Sequence, residues 1–231
     1  MNVINKLIAA GVFAASAFSV APAFAANAYN VYITEWNYQS RVADEKGEYI
    51  ELTNLGQFDV DFTYWSYDDD SRQSFTFELS DFGIVKAGES VILTEITAEE
   101  FRARWGLDDS VKIIGNLNPN LGRADEINIY DADENLVDRL TYGDNTIGGI
   151  RARYNSGIPG SVDVLGENNV HGWVLSQVGD SEGSWRSTVG DIGSPGFTNL
   201  TIAAVPEPST YALMLAGVGL VGFAVRRRKM A

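Results

Sequence analysis

Between Val31 and Tyr142 apolar and polar residues alternate, mostly with a period of two. Side chains of an extended strand point to opposite faces in turn, so this pattern predicts short half-buried strands. The segments are Val31 to Trp36, Glu48 to Thr53, Phe58 to Trp65, Ser74 to Leu79, Ser90 to Thr94, Val111 to Ile114, Glu126 to Tyr130 and Leu136 to Tyr142. In the second, Ile50 and Leu52 are expected to face inward while Glu51 and Thr53 face out; in the fourth, Phe75, Phe77 and Leu79 share one side. Turn-forming clusters separate them at Asn54 to Gly56, Asp68 to Ser71, Ala87 to Glu89, Asn116 to Gly122 and Asp131 to Asn135. About eight strands at this spacing predict an all-β protein, an antiparallel sandwich.

One helix interrupts the strands. Thr97 and Glu100 stand at capping-box spacing, each able to satisfy an amide that the first turn leaves unpaired, and Phe101 and Trp105 follow four apart on one face. This helix is expected to close an end of the sandwich. Beyond Asp144 the periodicity fades among Gly and Asn, and Ser194, Pro195 and Gly196 read as a terminal turn.

The two ends follow other rules. Residues 1–25 have Lys6 before an apolar stretch from Leu7 to Val20, then Ala23-Phe24-Ala25. That is the layout of a signal peptide cut after Ala25, with Ala23 and Ala25 as the small residues that signal peptidase needs. At the other end Val205, Pro206, Glu207 and Pro208 form a break, because the two prolines remove backbone donors and restrict the residues before them. An uncharged run from Tyr211 to Val225 follows, ended by Arg226, Arg227, Arg228 and Lys229. A bilayer core asks for about 20 apolar residues, so the membrane helix is read over 209–225, with the arginines snorkelling. The cations form a cytoplasmic stop, leaving the body on the far side of the membrane.

These residues, Val205 to Pro208, Tyr211 to Val225 and Arg226 to Lys229, resemble the PEP-CTERM sorting signal of Gram-negative bacteria. The resemblance implies that a membrane-embedded exosortase recognises Pro-Glu-Pro, cuts near it, and releases or re-attaches the protein outside. It also implies a component of the surface or extracellular matrix. The chain thus divides into 1–25, a body over 26–204, and a sorting signal over 205–231.

Charge and cysteine usage narrow the partners. The whole chain carries 17 basic and 31 acidic residues, a net −14. Five of the cations and one acid lie in the two ends, which leaves the body 12 basic against 30 acidic residues. Such a field repels nucleic acid and anionic lipid, so no nucleic-acid partner is expected. There is no cysteine, and the exported body must hold by packing alone.

Within the body, Gly47 to Asn54, Val60 to Trp65, Gly83 to Leu93, the hairpin Asp125 to Tyr142, Trp185 and Gly193 to Asn199 resemble the lamin-tail domain, in that family's order. The resemblance implies an immunoglobulin-like β-sandwich and supplies no catalytic residues. Leu117 to Leu121 is a longer connection than the family's pattern leads one to expect.

Candidate chemistry is sparse. His171 is the single histidine, whereas a His-based zinc site wants two or three, and its neighbours place it in a loop. No GxSxG motif occurs. Asp68, Asp69 and Asp70 form an acidic knot that is a candidate calcium site, the one cofactor considered. Asp131, Asp133 and Asn135 have the alternate spacing of calcium ligands, but Leu136 stands where an EF-hand needs Gly; they read as a polar hairpin turn. Tyr38, Tyr64, Tyr67 and Trp173 are candidates for stacking on extracellular polysaccharide. The reading reached is an exported, non-enzymatic binding or structural module, held at the inner membrane and then placed at the cell surface. The alternative is a secreted hydrolase of polysaccharide or nucleic acid working through acidic residues.

Overall fold

In a computed structural model the described residues are 29–42, 44, 46–202, 215, 217 and 218. The strands are β1 (Val31–Asn37), β2 (Tyr49–Asn54), β3 (Val60–Asp61), β4 (Ser66–Asp68), β5 (Phe77–Glu78), β6 (Ile84–Val85) and β7 (Ser90–Thr94). Helix α1 (Ala98–Trp105) follows, then β8 (Lys112–Ile114), β9 (Ala124–Tyr130), β10 (Leu136–Gly143), β11 (Gly157–Pro159), β12 (Trp173–Leu175), β13 (Trp185–Arg186) and β14 (Ile192–Gly193). One sheet has the order β12-β11-β1-β2-β7-β8 and another the order β10-β9-β4-β5, with two small two-stranded sheets, β3-β6 and β13-β14. This mostly β arrangement is consistent with an immunoglobulin-like sandwich. The main core lies between the two large sheets: Ile33, Trp36, Ile50, Leu52, Val91 and Leu93 from one meet Tyr67, Ile127, Ile129, Leu140 and Tyr142 from the other.

Three features depart from simple alternation. First, the pairing of β7 with β8 is parallel, not antiparallel. The insertion of α1 between them is the cause, since a helical crossover returns the chain in its original direction. Second, α1 covers the outer face of the six-stranded sheet instead of closing an end: Phe101 and Trp105 pack on Tyr49, Ile92 and Ile96 in a second, smaller core. Glu51 and Thr53 on the same outer face are buried too, Glu51 under Gly196, although alternation alone points them to solvent. Third, the register of β1 slips between Ile33 and Glu35. This bulge at Thr34 lets both Ile33 and Trp36 face the main core.

Local rules explain the helix. Thr97 Oγ1 accepts a hydrogen bond from the Glu100 amide, and Gly106 ends the helix in the left-handed region at φ 66°. The Glu100 carboxylate instead accepts from Arg104 at 2.5 Å, one turn on. Elsewhere the predicted strands shorten. Only Val60–Asp61 of 58–65 and Phe77–Glu78 of 74–79 pair as strands, because Tyr64 and Phe75 adopt positive φ and turn the chain outward. Phe75 is exposed.

Past Asp144 the chain completes the first sheet, with β11 antiparallel to β1 through Trp36 and Gly157. A side chain at 157 would strike the Trp36 indole, which accounts for glycine there. The long Leu117–Leu121 connection has a structural explanation too: both leucines enter the main core.

Phe62 is fully buried, stacked on Trp65 at 4.3 Å between ring centroids and edge-on to Phe82 at 6.0 Å. Phe62→Ala is expected to cost about 3–5 kcal/mol, and Thr97→Ala about 1 kcal/mol. Urea denaturation of each variant measures both. A loss for Phe62→Ala no larger than that for Thr97→Ala would contradict its place at the centre of the core.

Candidate functional site

The bulge at Thr34 has a chemical result. It sets Glu35 of β1 directly opposite Glu51 of β2, on the outer face of the sheet. Both carboxyl groups are buried. Glu35 accepts from the Ser194 amide at 2.8 Å and from the Ser156 and Ser194 hydroxyls. Glu51 accepts from Thr34 Oγ1 at 2.5 Å and from the Gly196 amide at 2.7 Å. Burial pushes both groups up, and the charge of Glu35 raises Glu51 further. Two neighbouring carboxyl groups with raised pKa values are a recurrent catalytic device. Here, however, the stretch from Gly193 to Gly196 lies over them, and a Cβ at Gly193 would meet Tyr49, Glu35 and Ser156. The pair fastens the late segment to the sheet.

A second set of acids stands at an end of the sandwich. Glu48 is 3 % exposed, and its Oε1 accepts from the Leu121 amide at 2.8 Å. Burial, reinforced by Glu95 and Asp125, pushes it up to about 9. It lines a small open cleft with Tyr38, Gln39, Lys46, Glu95 and Asn120. Nearby, Asp69, Asp70 and Asp125 bring one oxygen each within 4.8 Å of one another.

The acidic knot read from the sequence is thereby divided. Asp68 is buried and turned into its own loop, accepting from Ser71 Oγ at 2.8 Å and the Gln73 amide at 2.7 Å. Asp69 and Asp70 meet Asp125 from β9, a neighbour that spacing along the chain does not reveal. Asp131 accepts from the amides of Asp133 and Asn135, each at 2.9 Å, as a polar hairpin turn does. His171 is exposed in a short turn whose Asn169 side chain accepts from the His171 amide. Of the four aromatic candidates, Tyr38, Tyr67 and Trp173 are buried and Tyr64 is exposed. Sequence reasoning missed Glu35 and Glu51 as a pair; the available signal was the Gly193-Ser194-Pro195-Gly196 turn, rich in bare amides.

Ala23, Ala25, Val205 to Pro208 and Arg226 to Lys229 lie outside the described residues, as does the helix over 209–225 except for Leu215, Gly217 and Val218, which are helical. Leu215 and Val218 are exposed apolar side chains. Among the described residues, no helix is long and apolar enough to cross a membrane.

These shifts make stability depend on pH in a direction opposite to that of most acidic proteins. Glu48 at about 9 and Asp138 at about 7, both raised by burial, stabilise the fold in their protonated form. Their contribution is full below the ordinary carboxyl range and is lost as pH rises through 7 to 9. Glu126, held near 2 chiefly by its hydrogen bond from Arg72, contributes above about 4.5 and loses that contribution only as pH falls toward 2. The urea midpoint is therefore expected to fall between pH 5 and pH 9. Glu48→Gln, which keeps an acceptor for Leu121, should flatten the upper part of that fall; an equal slope in the variant would refute the assignment to Glu48.

Two family models match the chain. The PEP-CTERM protein-sorting motif covers residues 204–229. No curated protein matches it as a relative. The lamin tail domain covers residues 25–144, a little over half of the chain, and takes in β1 to β10, including Glu35, Glu48, Glu51 and the three clustered aspartates. By the extent of that match and by its mostly β architecture, the chain belongs to the lamin tail domain family.

Proposed function

We propose that this protein is an exported, non-enzymatic component of the cell surface or extracellular matrix, sorted by an exosortase. The observation that carries the proposal is the PEP-CTERM motif at residues 204–229, which implies an exported, exosortase-processed protein. In this reading signal peptidase removes residues 1–25 after Ala25. The body over 26–204 is delivered outside, and residues 205–231 serve as a temporary anchor. Val205 to Pro208 form the recognition element, 209–225 the membrane helix, and Arg226 to Lys229 the cytoplasmic stop.

The body itself supports a scaffold role. Its paired carboxyl groups at Glu35 and Glu51 are covered, and its single histidine sits in an exposed turn with no carboxylate hydrogen-bonded to it among the described residues. Contact with extracellular polysaccharide falls to Tyr64, a residue 63 % exposed on a backbone held at φ 64°. An exposed aromatic side chain of this kind suits stacking against a sugar.

Intact-mass measurement on protein recovered from outside the cell tests the sorting. The expected species lacks residues 1–25 and ends near Pro206 to Pro208; a full-length species confined to the cytosol would overturn the proposal. For the polysaccharide contact, electrophoresis through gels containing the organism's own exopolysaccharide should show retardation that Tyr64→Ala weakens. Equal mobility of the two proteins with and without polysaccharide removes that part of the reading.

A further inference from the structure

The end of the sandwich where Asp69, Asp70 and Asp125 converge has the chemistry of a cation site. The three carboxylates come from two places in the chain, the turn after β4 and the start of β9. Each contributes an oxygen within 4.8 Å of the others. Calcium binds oxygen at about 2.4 Å in a flexible geometry, so three oxygens this close can share one ion. Magnesium demands a near-ideal octahedron at about 2.1 Å and dehydrates reluctantly, so an incomplete carboxylate set suits calcium better.

The local charge is unrelieved. Among the described residues, none of the three carboxylates forms an ion pair. Asp125 is pushed up by burial and further by Asp69 and Asp70, against its hydrogen bonds from the Gly122 and Glu126 amides. Asp69 accepts from the Ser71 amide at 3.2 Å. Each carboxylate keeps lone pairs beyond these bonds.

An independent observation comes from below the cluster. Tyr67 is fully buried, and its hydroxyl has no hydrogen-bond partner among the described residues. Tyr67 pairs with Ile129 of β9, which shares a face with Asp125, and the carboxylate that bears most strongly on its hydroxyl is that of Asp125. Tyr142, which pairs across the hairpin with Asp125, is buried in the same condition and has the same strongest charged neighbour. A buried hydroxyl left without a partner costs about 1–3 kcal/mol, so two of them facing one acidic cluster call for partners. The coordinated water of a hydrated ion donates to such a hydroxyl oxygen, and a carboxylate drawn into position by the ion accepts from its O–H.

We infer that Asp69, Asp70 and Asp125 bind one calcium ion, whose hydration shell is met from the protein side by the hydroxyls of Tyr67 and Tyr142. The ion ties the turn after β4 to β9 and cancels the repulsion that otherwise strains this end of the four-stranded sheet. Asp68, although it belongs to the same run of acids, takes no part, because its oxygens are engaged by Ser71 and Gln73. The inference does not depend on how the protein is exported.

Thermal unfolding of the full chain in detergent, after dialysis against a chelator, provides the test. Calcium is titrated to about 10 mM, above the ~0.1–1 mM affinities of extracellular calcium modules. The melting temperature is expected to rise and saturate, with magnesium giving a much smaller shift. Asp70→Asn alters an exposed side chain and leaves the fold intact, yet should weaken the apparent affinity about tenfold or more. Asp109→Asn, at a fully exposed residue in the turn after α1, should keep the whole response. Terbium luminescence excited through the tyrosines, reversed by calcium, reports occupancy without relying on stability. A melting curve that calcium does not move, together with no calcium-reversible terbium signal, overturns the inference. So does an identical response in Asp70→Asn and the unaltered protein.

Discussion

The central constraint in this molecule is that its six-stranded sheet is buried on both faces. Core residues such as Ile50 and Leu52 occupy one side, as a sandwich requires. The other side carries Glu35, Glu51 and Thr53, and polar groups taken out of water must find partners or destabilise the fold by several kcal/mol. The two glutamates find them in the amides and hydroxyls of Ser156, Ser194 and Gly196, and Thr53 in the hydroxyls of Thr34 and Ser90. The chain beyond Asp144 is thus a required second layer, and the sheet built by the family-matched region is complete only when β11, β12 and the turn at 193–196 are in place.

Much of the first layer could be read directly from residue order. Val31 to Trp36, Glu48 to Thr53, Ser90 to Thr94 and Leu136 to Tyr142 all form strands near their predicted limits, because each lies in a core where one face is decisive. The helix, too, was legible from Thr97 and the Phe101–Trp105 spacing. What alternation could not show is a face covered by a later part of the same chain. Glu51 reads as a solvent position until Gly196 is known to lie over it. Likewise, Tyr64 and Phe75 continue an apolar rhythm in sequence, but positive φ at each diverts the backbone out of the sheet.

The acidic end illustrates a different limit. A run of three aspartates announces charge but not geometry, since side chains in an extended or turning segment diverge. Asp68 is consumed by its own loop, and the third member of the cluster is Asp125, brought alongside by the pairing of β4 with β9. Only the register of two strands distant in sequence makes that neighbour visible. The lack of histidine pairs and of cysteine, by contrast, could be weighed from composition, and it narrowed the chemistry to oxygen ligands before any fold was known.

Under the proposed sorting, the late segment fastened over the sheet also sets the length of the leash that leads to the membrane. Asn199 is held by Glu182 through its amide at 2.8 Å, and the sorting motif begins within a few residues of it. Extended chain spans about 3.3–3.6 Å per residue, so the proposed recognition element at Val205 to Pro208 stands at most ~32 Å from that anchored amide. In that arrangement a protease embedded in the bilayer works with the folded body held close to its outer surface. A cut there would leave only a short stub beyond Asn199 for extracellular peptidases to grip.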